Sequence, residues 1–293
     1  REYNYVFISP VFDSISNRGY NAKIKIKTFQ KFLETSLIKQ QSSIQAYDLG
    51  SHKVWLKKAS ERHGLWLYTP LKWLAKIFNL GAITPVPNQG GSAAIQCEYH
   101  RIQTLNSIGI STSNVLAISE KGILLEDIGS QHQTQVIQLD QALAQCQNDI
   151  ASKSLLFSQA IQAIQYIHSQ KGYLSEAFAR NILVDQNHQF SFIDFETDPL
   201  DVLSLHDCFV RDWLLFIFST AYHFEFEQLA DASHILYRAL LAEPQVYSDI
   251  CKVGKRLKWV LNFNISKIGN DGKRIQKCVL FLRYLKEQSE KNT

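Results

Sequence analysis

Two oxygen-bearing side chains bracket one tight hairpin. Asn181 stands just before the apolar run Ile182-Leu183-Val184, and Asp194 just after the run from Phe190 to Ile193. Between the runs lies Asp185-Gln186-Asn187-His188, turn chemistry that folds the chain back on itself. The ends of a hairpin meet, so the Asn181 amide oxygen and the Asp194 carboxylate come to the same edge. Held together, they make a hard-oxygen site suited to Mg²⁺, of the kind that phosphate oxygens complete.

Two further charges stand where their neighbours constrain them. Val54-Trp55-Leu56-Lys57 reads as a strand. Alternation then puts Trp55 and Lys57 on one face and Val54 and Leu56 on the other. A register slip of one residue would give Lys58 that place. Residues 92 to 106 read as a helix capped by Ser92, with Ile95, Tyr99, Ile102 and Leu105 as its buried stripe. Glu98 lies at the edge of that stripe, and a carboxylate there requires a partner.

The block from Tyr166 to Asp198 resembles the catalytic loop, hairpin and Mg²⁺-binding loop of the protein-kinase-like phosphotransferases, whose pattern is H-R-D-x-x-x-x-N followed by D-F-G. Asn181 matches the Asn, and Asp194-Phe195-Glu196 matches D-F-G with Glu in the place of Gly. Leu174-Ser175-Glu176 replaces H-R-D, so Glu176 takes the position of the catalytic Asp. Within the superfamily the chain is most similar to the bacterial lipopolysaccharide kinase (Kdo kinase) and RIO-like branch, across roughly residues 43 to 220.

The resemblance implies an α+β, two-lobed protein-kinase-like fold. Its parts are a small β-rich N-lobe over residues 23–129, with a helical insertion at 60–91, and a mostly helical C-lobe over 130–293. It implies ATP and Mg²⁺ as cofactors, with Asn181 and Asp194 as metal ligands. Lys57 would clamp the α- and β-phosphates, oriented by Glu98. Glu176 would accept the proton of an acceptor hydroxyl. Backbone groups of a hinge at Glu126 to Ile128 would read adenine. Asp212 either braces the catalytic loop, as a large-lobe Asp does in kinases, or is a charge at a helix N-terminus; both readings stand.

The remaining elements fit around these residues. Helical spacing of Ile26, Phe29, Phe32, Leu33 and Leu37 predicts a helix over 26–40. Strands flank Leu49-Gly50-Ser51, a loop with one glycine where a phosphate cradle has three. Residues 130–150 are expected to form a Gln-rich connector with a short helix. An amphipathic helix is expected over 152–168, with His168 at its end in a structural role. Arg211-Asp212-Trp213 is expected to open an apolar helix.

Residues 1–22 are set apart. Tyr5 to Ser16 resembles a strand and loop of a thiamine-phosphate-synthase-like barrel, and a single barrel strand cannot bury itself. In the insertion, Thr69-Pro70 opens a helix whose Lys72 and Lys76 lie beside Trp66, Tyr68 and Trp73. Such basic and aromatic character suits either a membrane interface or packing on the small lobe.

Composition bounds the function class. The chain has 293 residues, 45% hydrophobic and 20% charged, with a formal net charge of +4, which permits an anionic partner without demanding one. Five scattered cysteines without a C-x-x-C pair point to reduced thiols, not to a disulfide framework or a zinc site. No apolar run approaches the ~20 residues of a membrane span. The expected location is cytoplasmic, with peripheral contact at the inner membrane face. The expected acceptor is a hydroxyl of an anionic glycolipid sugar, and no nucleic-acid partner is expected. Competing readings are a protein Ser/Thr or small-molecule kinase, and a pseudokinase-type nucleotide-binding module.

Overall fold

A computed structural model of the chain describes residues 19–50, 52–59, 86–263 and 269–291. The protein is α+β, with long helices and two small antiparallel sheets. It is built as two compact units. Among the described residues the first comprises 19–59, 87–135 and 195–197. The second holds most of the remainder, including 136–194 and everything from Asp198 onward.

In the first unit α1 (Gly19–Lys39) precedes the hairpin β1 (Ile44–Leu49) and β2 (His52–Lys58). Then come α2 (Gly91–Ser107), the hairpin β3 (Val115–Ser119) and β4 (Gly122–Glu126), and the one-turn helix α3 (Ile128–His132). The sheet order is β1-β2-β4-β3, all antiparallel. Leu33 and Leu37 of α1 pack on Val54, Leu56, Ala117 and Leu124, so α1 covers the Val54/Leu56 face. Lys57 pairs across the ladder with Ile123 on the opposite face. The register expected for Lys57 therefore holds.

Helix α2 differs from expectation at its start. Its N-cap is Gly90, at φ 67°, with no side-chain cap bond, rather than Ser92. The Asn88 side chain instead accepts from the Gly90 N–H at 2.8 Å. A glycine meets the left-handed conformation that a serine cap would resist.

The second unit contains the sheet β5-β6-β7, built from β5 (Val136–Gln138), β6 (Ile182–Asp185) and β7 (Phe190–Phe192). Strand β5 lies in the stretch whose composition reads as a connector. Its three residues are too few for a legible alternation, and it forms by pairing with β6. Helices α4 (Leu139–Gln145) and α5 (Ile150–Ser169) follow β5. After β7 come α6 (Leu205–Thr220), α7 (Leu229–Leu240), α8 (Pro244–Leu257) and α9 (Asn270–Lys291). Asp149 caps α5, accepting from the Ser152 N–H, so that helix starts earlier than its apolar stripe.

Aromatic rings fill the helical core. Phe157 stacks on Phe216 at 5.4 Å and meets Phe224 and Phe281 edge-on. Helix α6 is buried along most of its length. It begins at Leu205, capped by Ser204, and not at Arg211. Asp212 therefore sits mid-helix and is fully buried, which removes the reading of it as an N-terminal charge. The aromatic insertion around Trp66 to Phe78 and the segment Tyr5 to Ser16 lie outside the described residues. Among the described residues no helix is long and apolar enough to cross a membrane.

Candidate functional site

The first unit holds an ion-paired lysine. Strand β2 presents Lys57, and α2 presents Glu98, eighth of its 17 residues. Lys57 Nζ lies 2.8 Å from Glu98 Oε1, a pair 41 residues apart in sequence. The lysine side chain is 11% exposed and the glutamate 1%. A second carboxylate joins them: Glu196 Oε1 is 3.0 Å from the same ammonium and its side chain is 35% exposed. Asn88 Nδ2 reaches Glu196 Oε2 at 3.5 Å. Position 196 stands out in the sequence only as a departure from glycine. No local pattern foretells a partner this far along the chain.

The positions expected to form a hinge, Glu126 to Ile128, are engaged in structure. The Glu126 N–H donates to Asn114 O at 2.9 Å, and its carboxylate accepts from Asn114 Nδ2 at 3.0 Å. Asp127 caps α3 and accepts from Trp55 Nε1 at 2.8 Å. Ile128 is buried and opens α3. Its N–H is at the first helical position, where no intrahelical acceptor exists.

The second unit holds Asn181, Asp194 and Glu176. Asn181 ends a 3₁₀ turn, Ala179–Asn181, directly before β6. The Ile193 N–H donates to Asn181 O at 3.0 Å, so the residue before Asp194 is bonded to Asn181. The hairpin therefore brings both ends together, as its turn chemistry predicts. That turn is stapled by Asp185 Oδ1, which accepts from the N–H groups of Asn187 and Gln189.

Asn181 Nδ2 donates to Glu176 O at 3.0 Å. This donation fixes the amide so that Oδ1 is its acceptor end. Asp194 takes φ 73°, a left-handed conformation uncommon for a residue with a Cβ, and found disproportionately at functional sites. An amide oxygen and a carboxylate form a donor set that fits Mg²⁺, which binds through one or two protein oxygens with phosphates and water completing its octahedron. Among the described residues no group of three or more His, Cys, Asp or Glu could hold a metal alone.

The loop carrying Glu176 is tied down at several points. The Leu174 N–H donates to Asp212 Oδ2 at 2.7 Å, and the Ala179 N–H to Ser219 Oγ at 2.9 Å; both acceptors are on α6. Tyr173 donates its hydroxyl to Asp198 Oδ1 at 2.6 Å. Glu176 O accepts from the Phe178 N–H as well as from Asn181. The Glu176 carboxylate is 18% exposed, with Arg180 Nη2 3.7 Å away. Of the two readings of Asp212, the loop brace is the one the hydrogen bonds support.

His168 joins this brace. Its Nε2 lies 3.2 Å from Asp212 Oδ2, its Nδ1 3.0 Å from Glu243 Oε2, and Phe209 stacks on its ring. Burial alone would push the imidazole pKa down, but hydrogen bonds and charge from Asp212 and Glu243 win and hold it above 6.5. Burial pushes the Asp212 carboxyl up, opposed by His168 and by the Leu174 N–H. The structural role expected for His168 is thus specific: an imidazole between two carboxylates, one of which accepts from the Leu174 N–H. Glu243 carries no signal in the sequence.

No protein-family model matches the chain, and no curated protein sequence matches it.

Proposed function

We propose that this protein is an ATP- and Mg²⁺-dependent phosphotransferase with a two-lobed, protein-kinase-like architecture, acting on a hydroxyl group. The observation that carries the reading is the Lys57–Glu98 pair, 2.8 Å apart and nearly dry. Few reasons exist for burying a lysine beside a helix glutamate when apolar residues would serve stability as well. Holding an ammonium rigidly for a polyphosphate is one of them. The ordered loop from Tyr173 to Asn181 supports the same reading from the second unit.

The roles follow from the chemistry of each group. Lys57, oriented by Glu98, binds α- and β-phosphate oxygens. The Ile128 N–H takes the adenine edge, the Glu126 and Asp127 N–H groups being bonded to Asn114 O and Lys53 O. Asn181 Oδ1 and the Asp194 carboxylate would hold Mg²⁺. That ion, when bound, neutralises charge on the transferring phosphoryl group. Glu176 accepts the proton of the acceptor hydroxyl as its oxygen bonds the γ-phosphorus and the β–γ bridging oxygen leaves with ADP. The Asp212 bond to the Leu174 N–H positions the loop on which Glu176 stands. A positioned general base contributes about 10²–10⁴-fold.

The acceptor we favour is a sugar hydroxyl of an anionic glycolipid, reached from the cytoplasmic membrane face by a peripherally bound enzyme. One observation favours a second reading, a nucleotide-binding module with little turnover: Glu176 replaces a shorter Asp and has Arg180 at 3.7 Å. The test is Mg²⁺-dependent ATP binding and turnover on wild type and Asp194→Ala, with a lipid extract, a generic protein substrate and an aminoglycoside as acceptors. Transfer to lipid that vanishes in the variant supports the reading. Transfer to another acceptor corrects the substrate class. Binding without turnover selects the module, and no binding refutes the nucleotide site.

A further inference from the structure

We propose that Glu196 is a built-in competitor of the nucleotide phosphates for Lys57, a carboxylate that must release the ammonium before a nucleotide can engage it. The inference rests on the reading of Lys57 as the phosphate clamp and adds a gate to it.

Lys57 meets two carboxylates at similar distances, 2.8 Å for Glu98 and 3.0 Å for Glu196. Their surroundings differ. Glu98 is 1% exposed on the inner face of a 17-residue helix, and losing Lys57 would leave its charge buried. Glu196 is 35% exposed and lies in no helix or strand, so water can solvate it once it lets go. Its contact with Asn88, at 3.5 Å, is at the limit of a hydrogen bond. One carboxylate is scaffold and the other is releasable.

Charge makes the competition unavoidable. Glu196 adds a second negative charge beside the ammonium that Glu98 already pairs, so a polyphosphate approaching Lys57 meets a competing carboxylate. With Glu196 turned away, that charge is removed and the ammonium face that held it turns to the ligand. The segment itself has little room to swing. Phe195 is 2% exposed, and Asp198 is bonded to Tyr173 and to the Leu200 N–H. The release is therefore a change of side-chain rotamer at Glu196, not the opening of a loop. A glycine at this position, as in the D-F-G pattern, would have no such group.

The experiment measures the Kd of ATP, with and without Mg²⁺, on the full chain as wild type, Glu196→Gln and Glu196→Ala. Lys57 keeps Glu98 in both variants, so the fold is retained, which circular dichroism checks. Because Glu196 is partly exposed, its hold on Lys57 is screened, and about five- to tenfold tighter binding of metal-free ATP is expected in both variants. Unchanged affinity overturns the gate and leaves the phosphotransferase reading standing. Weaker binding confined to the Mg²⁺ arm also overturns it and identifies Glu196 as a metal ligand instead. If neither wild type nor variant binds ATP, the nucleotide site itself is refuted, and the gate with it.

Discussion

Replacing Lys57 by Met should destabilise the first unit at least as much as replacing Lys57 and Glu98 together. Glu98 Oε1 lies 2.8 Å from Lys57 Nζ, and the two side chains are 1% and 11% exposed. With an effective dielectric of ~20 and charge centres ~4 Å apart, their attraction is about 4 kcal/mol, most of it offset by the cost of desolvating both groups. Removing the lysine alone forfeits the attraction and keeps the cost, because Glu98 cannot reach water. The expected penalty for Lys57→Met is about 3–5 kcal/mol. For Glu98→Leu it is smaller, about 1–2 kcal/mol, since Lys57 keeps Glu196 at 3.0 Å. The double variant Lys57→Met/Glu98→Leu should recover at least about 2 kcal/mol relative to the sum of the single losses. Urea denaturation followed by circular dichroism gives the global values. Native-state hydrogen exchange at the Val54 to Leu56 amides reads the first unit separately, which matters because two units need not unfold together. A cost below about 1 kcal/mol for Lys57→Met, or strict additivity in the double variant, would refute the claim that this pair is a tightly coupled buried charge.

Two further outcomes are expected. Gly122→Ala should cost about 1–3 kcal/mol in urea denaturation and weaken nucleotide binding, because its Cβ would stand 2.6 Å from Lys57 O and 2.8 Å from Leu37 Cδ2. The carbonyl belongs to the β2 backbone and cannot yield without moving Lys57. His168 supplies the pH dependence. Its folded-state pKa is raised above 6.5, so its contribution is fully present below that pH and is lost as pH rises through the folded value. The urea midpoint of wild type should fall over that window, and His168→Gln should flatten the fall; an unchanged slope in the variant would exclude the imidazolium bridge.

What the sequence makes legible are features encoded locally. The Asn181–Asp194 edge follows from turn residues between two short apolar runs, and the hydrogen bond from Ile193 to Asn181 is that prediction in atoms. The face of Lys57 follows from alternation alone, with Val54 and Leu56 fully buried on the other side. Cap positions are harder, because Gly90 and Asn88 share a job that Ser92 could have done by itself. Strand β5 and the start of α6 escape for a different reason. The first owes its conformation to β6, and the second has its polar opening, Leu205 to Cys208, before the apolar run that signals it. Least legible are contacts between charges far apart in the chain: Glu196 with Lys57, and Glu243 with His168. A lone Glu carries no pattern, and its partner is set by tertiary packing. Yet these are the contacts that surround the residues on which the proposed function rests. Motif spacing is what proposes Lys57 as the clamp, Asn181 and Asp194 as metal ligands and Glu176 as the base. The free energy with which Lys57 is available, and the stiffness with which Asp212 holds the loop, depend on two glutamates whose roles only the fold supplies. A site assigned by motif alone would therefore have its parts in order while missing the carboxylates that contact Lys57 and His168 from far along the chain.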